Sequence, residues 1–176
     1  MSARDPCIGA AIVREWSHTL PPRSCVLDLG CGHGVPISQT LIDEGFTVFG
    51  VDGSRTLTEA FQKHFPNAFV ECAGIEDSEF FQRTFDGIVA WGLMFLMPPH
   101  TQCAVIHKVA RALNPNGRFL FTSPKEIVRW RDALTDRESV SLGAERYHQL
   151  LNAEGLDVLG EPSDKSGNHY YLASKR

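Results

Sequence analysis

Apolar residues in this chain alternate between short unbroken runs and stretches at helical spacing, and that order predicts the architecture. The first run, Val26-Leu27-Asp28-Leu29, ends at Gly30 and reads as a buried parallel strand. Phe46 to Val51, Ala68 to Cys72, Phe85 to Trp91 and Arg118 to Thr122 repeat the signature. Between them, Pro36 opens a helix carrying Ile37, Leu41 and Ile42 and stopped at Gly45. Ser54 is placed to cap a helix that runs to about His64, ahead of Pro66. Pro98-Pro99 opens another through Leu113, with Val105, Ile106, Val109 and Leu113 on one face, and Asn114-Pro115-Asn116-Gly117 closes it. Ile8, Ala11, Ile12 and Trp16 predict a short amphipathic helix before Pro21-Pro22, so residues 1–20 form a helical cap on one side of any site at the sheet edge.

Strand alternating with helix predicts an α/β fold with a doubly wound parallel sheet. The end of the chain departs from this. Tyr147, Leu150 and Leu151 mark a last helix stopped by Gly155, after which Leu156 to Leu159 and His169 to Ser174 are joined by Glu-Pro-Ser-Asp-Lys-Ser-Gly-Asn. A parallel crossover needs roughly a dozen residues or more, usually helical, and this linker is shorter and has no helical pattern. The last two strands are therefore expected to be antiparallel. The expectation is one domain over residues 1–176, a seven-stranded, mostly parallel sheet with an antiparallel last strand. Ser123 to Val140, which mixes Trp130 with four basic and four acidic side chains, reads as one helix and a loop.

A net charge of −4 provides no basic face to displace counterions from a phosphate backbone, which argues against nucleic acid as the main substrate. No stretch approaches the ~18 apolar residues of a membrane span, and Met-Ser-Ala-Arg-Asp has no leader-like apolar core, so a soluble cytoplasmic protein is expected. The five cysteines are scattered without a Cys-x-x-Cys pair, and neither they nor the histidines show ligand spacing, so no metal site is expected.

The chemistry concentrates where the first strand ends. Asp28-Leu29-Gly30-Cys31-Gly32-His33-Gly34 joins a strand to a helix whose first free amides face the same spot, and the glycines let backbone approach a ligand where a Cβ would collide. The spacing is Gly-x-Gly-x-Gly, not the Gly-x-Gly-x-x-Gly of dinucleotide-binding dehydrogenases. A buried carboxylate at Asp28 would repel a pyrophosphate and welcome an ammonium. Cys31 sits in a turn near a helix N-terminus, a setting that lowers thiol pKa. Asp52, about 20 residues on at the end of the second strand, stands where an acid chelates ribose hydroxyls.

These residues resemble the first motif of the class I, Rossmann-like S-adenosylmethionine-dependent methyltransferases that act on small molecules. The resemblance implies that Asp28, Gly30, Cys31, Gly32 and Gly34 hold the methionine end of S-adenosylmethionine, that Asp52 and Gly53 bind its ribose, and that S-adenosylhomocysteine is the product. An acid after the third strand often receives the adenine amino group in this family; here Gly74 takes that place, leaving Ile75 to flank the base and Glu76 to reach its amino group. Trp91 and Gly92, at the fourth strand tip, are placed to meet the methionine moiety or the methyl acceptor. The Asn/Asp-Pro-Pro-Tyr/Phe motif of amino-directed nucleobase methyltransferases is missing, so the implied acceptor is a small-molecule nucleophile. Its selection would fall to the first 20 residues and to Ser123–Val140. His169 is the candidate base; on the alternating last strand Tyr171 shares its side, and Tyr170 turns toward the helix layer or solvent. Two other readings stand beside this one, a non-catalytic S-adenosylmethionine-binding partner protein and a nicotinamide-dependent oxidoreductase. The glycine spacing and the final hairpin disfavour the latter.

Overall fold

The computed structural model describes residues 7–133 and 135–176. Seven strands form the main sheet: β1 (Cys25–Leu29), β2 (Thr47–Asp52), β3 (Phe69–Cys72), β4 (Phe85–Ala90), β5 (Leu113–Thr122), β8 (Leu156–Gly160) and β9 (Tyr170–Lys175). They lie in the order β3-β2-β1-β4-β5-β9-β8. β3, β2, β1, β4 and β5 pair in parallel, and β9 runs antiparallel to both β5 and β8. The short polar linker thus returns the chain as its length requires, and the order reverses between β1 and β4, where open α/β sheets place their ligands.

Helices cover both faces. α1 (Ala10–Ser17), α2 (Ile37–Asp43) and α3 (Arg55–His64) pack one face through Val13, Trp16, Leu41 and Phe61, and α4 (Pro99–Ala112) and α5 (Ala144–Ala153) pack the other through Val105, Val109, Tyr147 and Leu151. Val26, Leu27 and Leu29 of β1 are fully buried, as a central strand sandwiched between two layers requires. The Ser54 hydroxyl accepts a hydrogen bond from the Leu57 amide and caps α3. α1 lies close on β4, where a Cβ on Gly87 would stand 2.6 Å from Leu20 and 2.9 Å from Trp16. Among the described residues no helix is long and apolar enough to cross a membrane.

Residues 123–140 depart from the expected helix and loop. β6 (Ile127–Arg131) and β7 (Glu138–Leu142) form a separate antiparallel hairpin. Asp132 turns it, accepting hydrogen bonds from the amide and hydroxyl of Thr135. β-branched and aromatic residues in Ile127-Val128-Arg129-Trp130 fit a strand, and the Arg129–Glu138 and Arg131–Asp136 pairs bridge across the hairpin. Interspersed charges that suggest a solvated helix are cross-strand partners.

Candidate active site at the carboxyl edge of the sheet

The glycine turn is fixed from β2. The amides of Gly30 and Cys31 both donate to the Val51 carbonyl, at 2.8 and 3.1 Å. Gly32 N donates to Asp52 Oδ2 at 2.9 Å, and the other oxygen of Asp52 accepts the Ser54 amide at 2.8 Å. Asp52 therefore joins the turn to the start of α3 and is itself half-buried. Two glycines serve different ends. At Gly34 (φ +94°) a Cβ would come within 2.4 Å of Phe65, so the helix layer demands the glycine; at Gly32 (φ +57°) nothing lies within 4 Å, so the backbone is bare toward open space.

Asp28 is 2% exposed, and Ser38 Oγ of α2 donates to it at 2.6 Å. Burial pushes its carboxyl up to about 7, the charge of Asp52 adds to the effect, and the Ser38 hydrogen bond opposes it. Asp28 and Gly30 share a cavity of about 480 Å³ with Trp91 and Gly92, so four of the predicted positions converge. Its size suits a small-ligand pocket, roughly 300–1,000 Å³. Ile8 closes it from the amino-terminal cap and Asp132 and Thr135 from the hairpin turn. Gly92 is held by its amide on Thr122 Oγ1 at 2.7 Å, and like Gly32 it has open space where a side chain would be.

Other predicted positions differ. The Cys31 side chain turns into the core, beneath Gly50, where a Cβ would stand 2.7 Å from its sulfur. Burial, followed by the charges of Asp28 and Asp52, raises its thiol pKa instead of lowering it. Gly53 is exposed beside Asp52, and the Ala73 amide donates to the Asp52 carbonyl, bringing residues 73–78 alongside. Within that segment Ile75 is 8% exposed and packed in the core, while Glu76 is exposed. Lys108 of α4 fixes the segment by donating to the carbonyls of Ile75, Glu76 and Ser78 at 3.0, 3.2 and 2.6 Å, a role visible only once α4 is in place.

A second cavity, about 420 Å³, adjoins the first, and Phe95, Thr122 and Asn168 line both. His169 lines it, 14% exposed, with Nε2 3.0 Å from Glu161 Oε1 and its ring edge-on to Tyr171. Glu161 also meets His148 Nε2 at 3.1 Å. Burial would raise the Glu161 carboxyl, but the His169 hydrogen bond and the charge of His148 outweigh it and hold it below the usual range. Tyr170 faces the other side of β9, fully buried, with its hydroxyl accepting from Trp91 Nε1 at 2.9 Å and donating to Asp164 Oδ2 at 2.8 Å. Ser38, Phe95, Trp130 and Asp164 carry no sequence signal comparable to the glycine turn, whereas Asn168, at the end of the polar linker, lines both cavities as its place before the last strand predicts.

Residues 26–117 match the methyltransferase-domain family, just over half of the chain, and the chain belongs to that family. Its glycine turn, paired acids and antiparallel last strand are those of the class I, S-adenosylmethionine-dependent branch. A carboxy-S-adenosyl-L-methionine synthase of Actinobacillus succinogenes is 28% identical over 148 residues, 78% of this chain; the chain spans only 57% of that protein's length. The fold is similar to that of an S-adenosylmethionine-dependent methyltransferase from Clostridium acetobutylicum, at TM-score 0.79 and 16% identity over 97% of this chain and 92% of that one. It is also similar to the 1,6-didemethyltoxoflavin-N1-methyltransferase of Burkholderia thailandensis, at TM-score 0.77 and 19% identity over 98% and 81%.

Proposed function

We propose that this chain transfers the methyl group of S-adenosylmethionine to a small-molecule nucleophile held in the second cavity. The observation that carries the reading is the common wall at Phe95, Thr122 and Asn168, which sets a cavity containing a buried acid beside one containing an imidazole. When bound, S-adenosylmethionine supplies an electrophilic methyl group whose transfer is intrinsically favourable, so alignment and exclusion of water can provide much of the catalysis.

The residues present fit that donor. Asp28 is a buried anion site for an ammonium, the open faces of Gly32 and Gly92 admit close approach, and Asp52 stands ready for a ribose while holding the turn rigid. His169, braced by Glu161, is the group placed to take a proton from an acceptor. The curated relative's name describes a carboxylated form of the donor. The first cavity is lined by the acids Asp28 and Asp132 and, among the described residues, by no lysine or arginine, so it has no cation to neutralise an added carboxylate. That favours the uncarboxylated donor.

Calorimetry tests the reading. S-adenosylhomocysteine is expected to bind saturably and reduced nicotinamide dinucleotide not at all. The reverse result overturns the proposal. Consumption of S-adenosylmethionine when candidate acceptors are added separates an enzyme from a non-catalytic donor-binding protein.

A further inference from the structure

We infer that the second cavity takes a flat aromatic acceptor bearing a hydroxyl, its ring against Phe95 and Trp130 and its proton passing to His169; this specifies the acceptor and rests on the methyltransferase reading above.

The hairpin supplies the aromatic end of the cavity. β6 is exposed at every position except Trp130, with Ile127 at 83%. The hairpin is anchored by the other strand: Ser139, Val140 and Ser141 of β7 are buried, and Gln102 of α4 donates to the Val140 carbonyl at 2.9 Å. β6 is thus held over the cavity with one side chain turned into it. That side chain meets Phe95, which arrives from the turn after β4, with ring centroids 5.4 Å apart and planes tilted by 41°. Two rings from distant segments line one cavity wall. Against such a wall a flat ring gains offset or edge-on contact beyond the area it buries, whereas a puckered aliphatic ring gains the area alone.

The polar end comes from His169. A carboxylate only accepts, so the hydrogen between His169 and Glu161 sits on Nε2, and in the neutral imidazole Nδ1 is left as the basic lone pair. Proton uptake by that nitrogen serves an acceptor that must lose a proton. A phenolic hydroxyl, with pKa about 10, lies within reach of an imidazole, whereas an aliphatic hydroxyl is a far weaker acid. The hydroxyl proton goes to Nδ1, an oxygen lone pair forms the new O–C bond as the S–C bond to the methyl group breaks with its pair on sulfur, and the imidazolium then releases its proton to solvent.

The test needs no turnover. With the protein saturated by S-adenosylhomocysteine, para-nitrophenol is titrated by calorimetry and by the absorbance of its phenolate, with cyclohexanol as the non-aromatic comparator. Saturable nitrophenol binding is expected, weakened about three- to tenfold by Trp130→Ala, the worth of one aromatic contact. S-adenosylhomocysteine affinity should not change in that variant. Phe95→Leu should weaken nitrophenol similarly from the other ring, and His169→Ala should lower the fraction bound as phenolate. Cyclohexanol binding as tightly as nitrophenol overturns the inference alone, as does unchanged nitrophenol affinity in a folded Trp130→Ala protein. Failure of S-adenosylhomocysteine to bind overturns the methyltransferase reading beneath it.

Discussion

Asp28→Asn probes the buried carboxyl of the proposed donor site with little change in shape. The native carboxyl sits near 7 against an ordinary 3.8, chiefly because burial penalises its charge. A difference of about three pH units corresponds to something on the order of 4 kcal/mol. Between about pH 4 and 7 the unfolded chain has lost this proton while the folded protein keeps it. The folded state therefore binds more protons, and the Asp28 contribution makes stability fall as pH rises through that window, with the loss complete above it. Asparagine keeps the Ser38 hydrogen bond and cannot ionise, so the variant should gain on wild type as pH rises. Urea denaturation of both proteins at pH 5, 6, 7 and 8 measures the difference, in which titrating groups not coupled to Asp28 cancel. Donor binding should move in the opposite sense, because an arriving ammonium favours the ionised carboxylate. In wild type S-adenosylhomocysteine should bind more tightly as pH rises through about 7, releasing a proton below it, and in the variant this dependence should vanish. Parallel stability profiles for the two proteins would refute the argument that Asp28 is held protonated by burial.

Asp52→Ala should weaken S-adenosylhomocysteine binding by about 1.5–3 kcal/mol for each charge-assisted hydrogen bond lost, and unchanged affinity by calorimetry in a folded variant removes Asp52 from the site. Tyr170→Phe leaves the Trp91 indole N–H without its acceptor and should cost about 1–3 kcal/mol in thermal or chemical denaturation; a neutral substitution would show that the hydroxyl contributes nothing there. His169→Ala should reduce turnover of the true acceptor far more than donor affinity, and an unaltered rate per folded molecule, with only stability changed, would leave alignment alone as the mechanism. Lys108→Met, which removes three hydrogen bonds to the 73–78 segment, should weaken adenosine binding more than methionine binding, read by comparing the two ligands in calorimetry.

The glycine turn and its two acids were legible because their information is local. Asp28, Gly30, Gly32 and Gly34 lie within one strand and turn, and Asp52 ends the next strand, paired in register so that Gly32 N reaches its carboxylate. The antiparallel last strand was legible for a different reason, since eight linker residues set a geometric limit whatever their identity. Cys31 shows where local reading fails. A turn before a helix is a setting that lowers thiol pKa, but Gly50 leaves a hollow that the side chain fills, and only the β1–β2 pairing reveals it. The β6–β7 hairpin was illegible for a related reason. Ser139-Val140-Ser141-Leu142 alternates over only four residues, and the burial of its serines, which the alternation would place at the surface, depends on contacts such as that of Gln102, distant in sequence.

The linker between β8 and β9 carries this point into the chemistry. Read along the chain, Pro162 to Asn168 is a generic polar turn, yet Asp164 organises it around the site. Its carboxylate accepts the amides of Ser166 and Asn168, the Asn168 side-chain nitrogen and the Tyr170 hydroxyl, at 2.9, 3.0, 2.9 and 2.8 Å. Burial works to raise this carboxyl, but those hydrogen bonds prevail and keep it below its ordinary range, so the anion persists as the hub of the turn. The Asn168 amide is thereby oriented with its nitrogen toward Asp164, at the wall shared by both cavities. Tyr170 ties the same hub to Trp91 in the first cavity. One buried hydroxyl thus connects the β4 tip, on the first cavity, to the loop that borders the second. The relative placement of the two cavities is tied by a contact between residues 79 positions apart, and only the folded sheet brings them together.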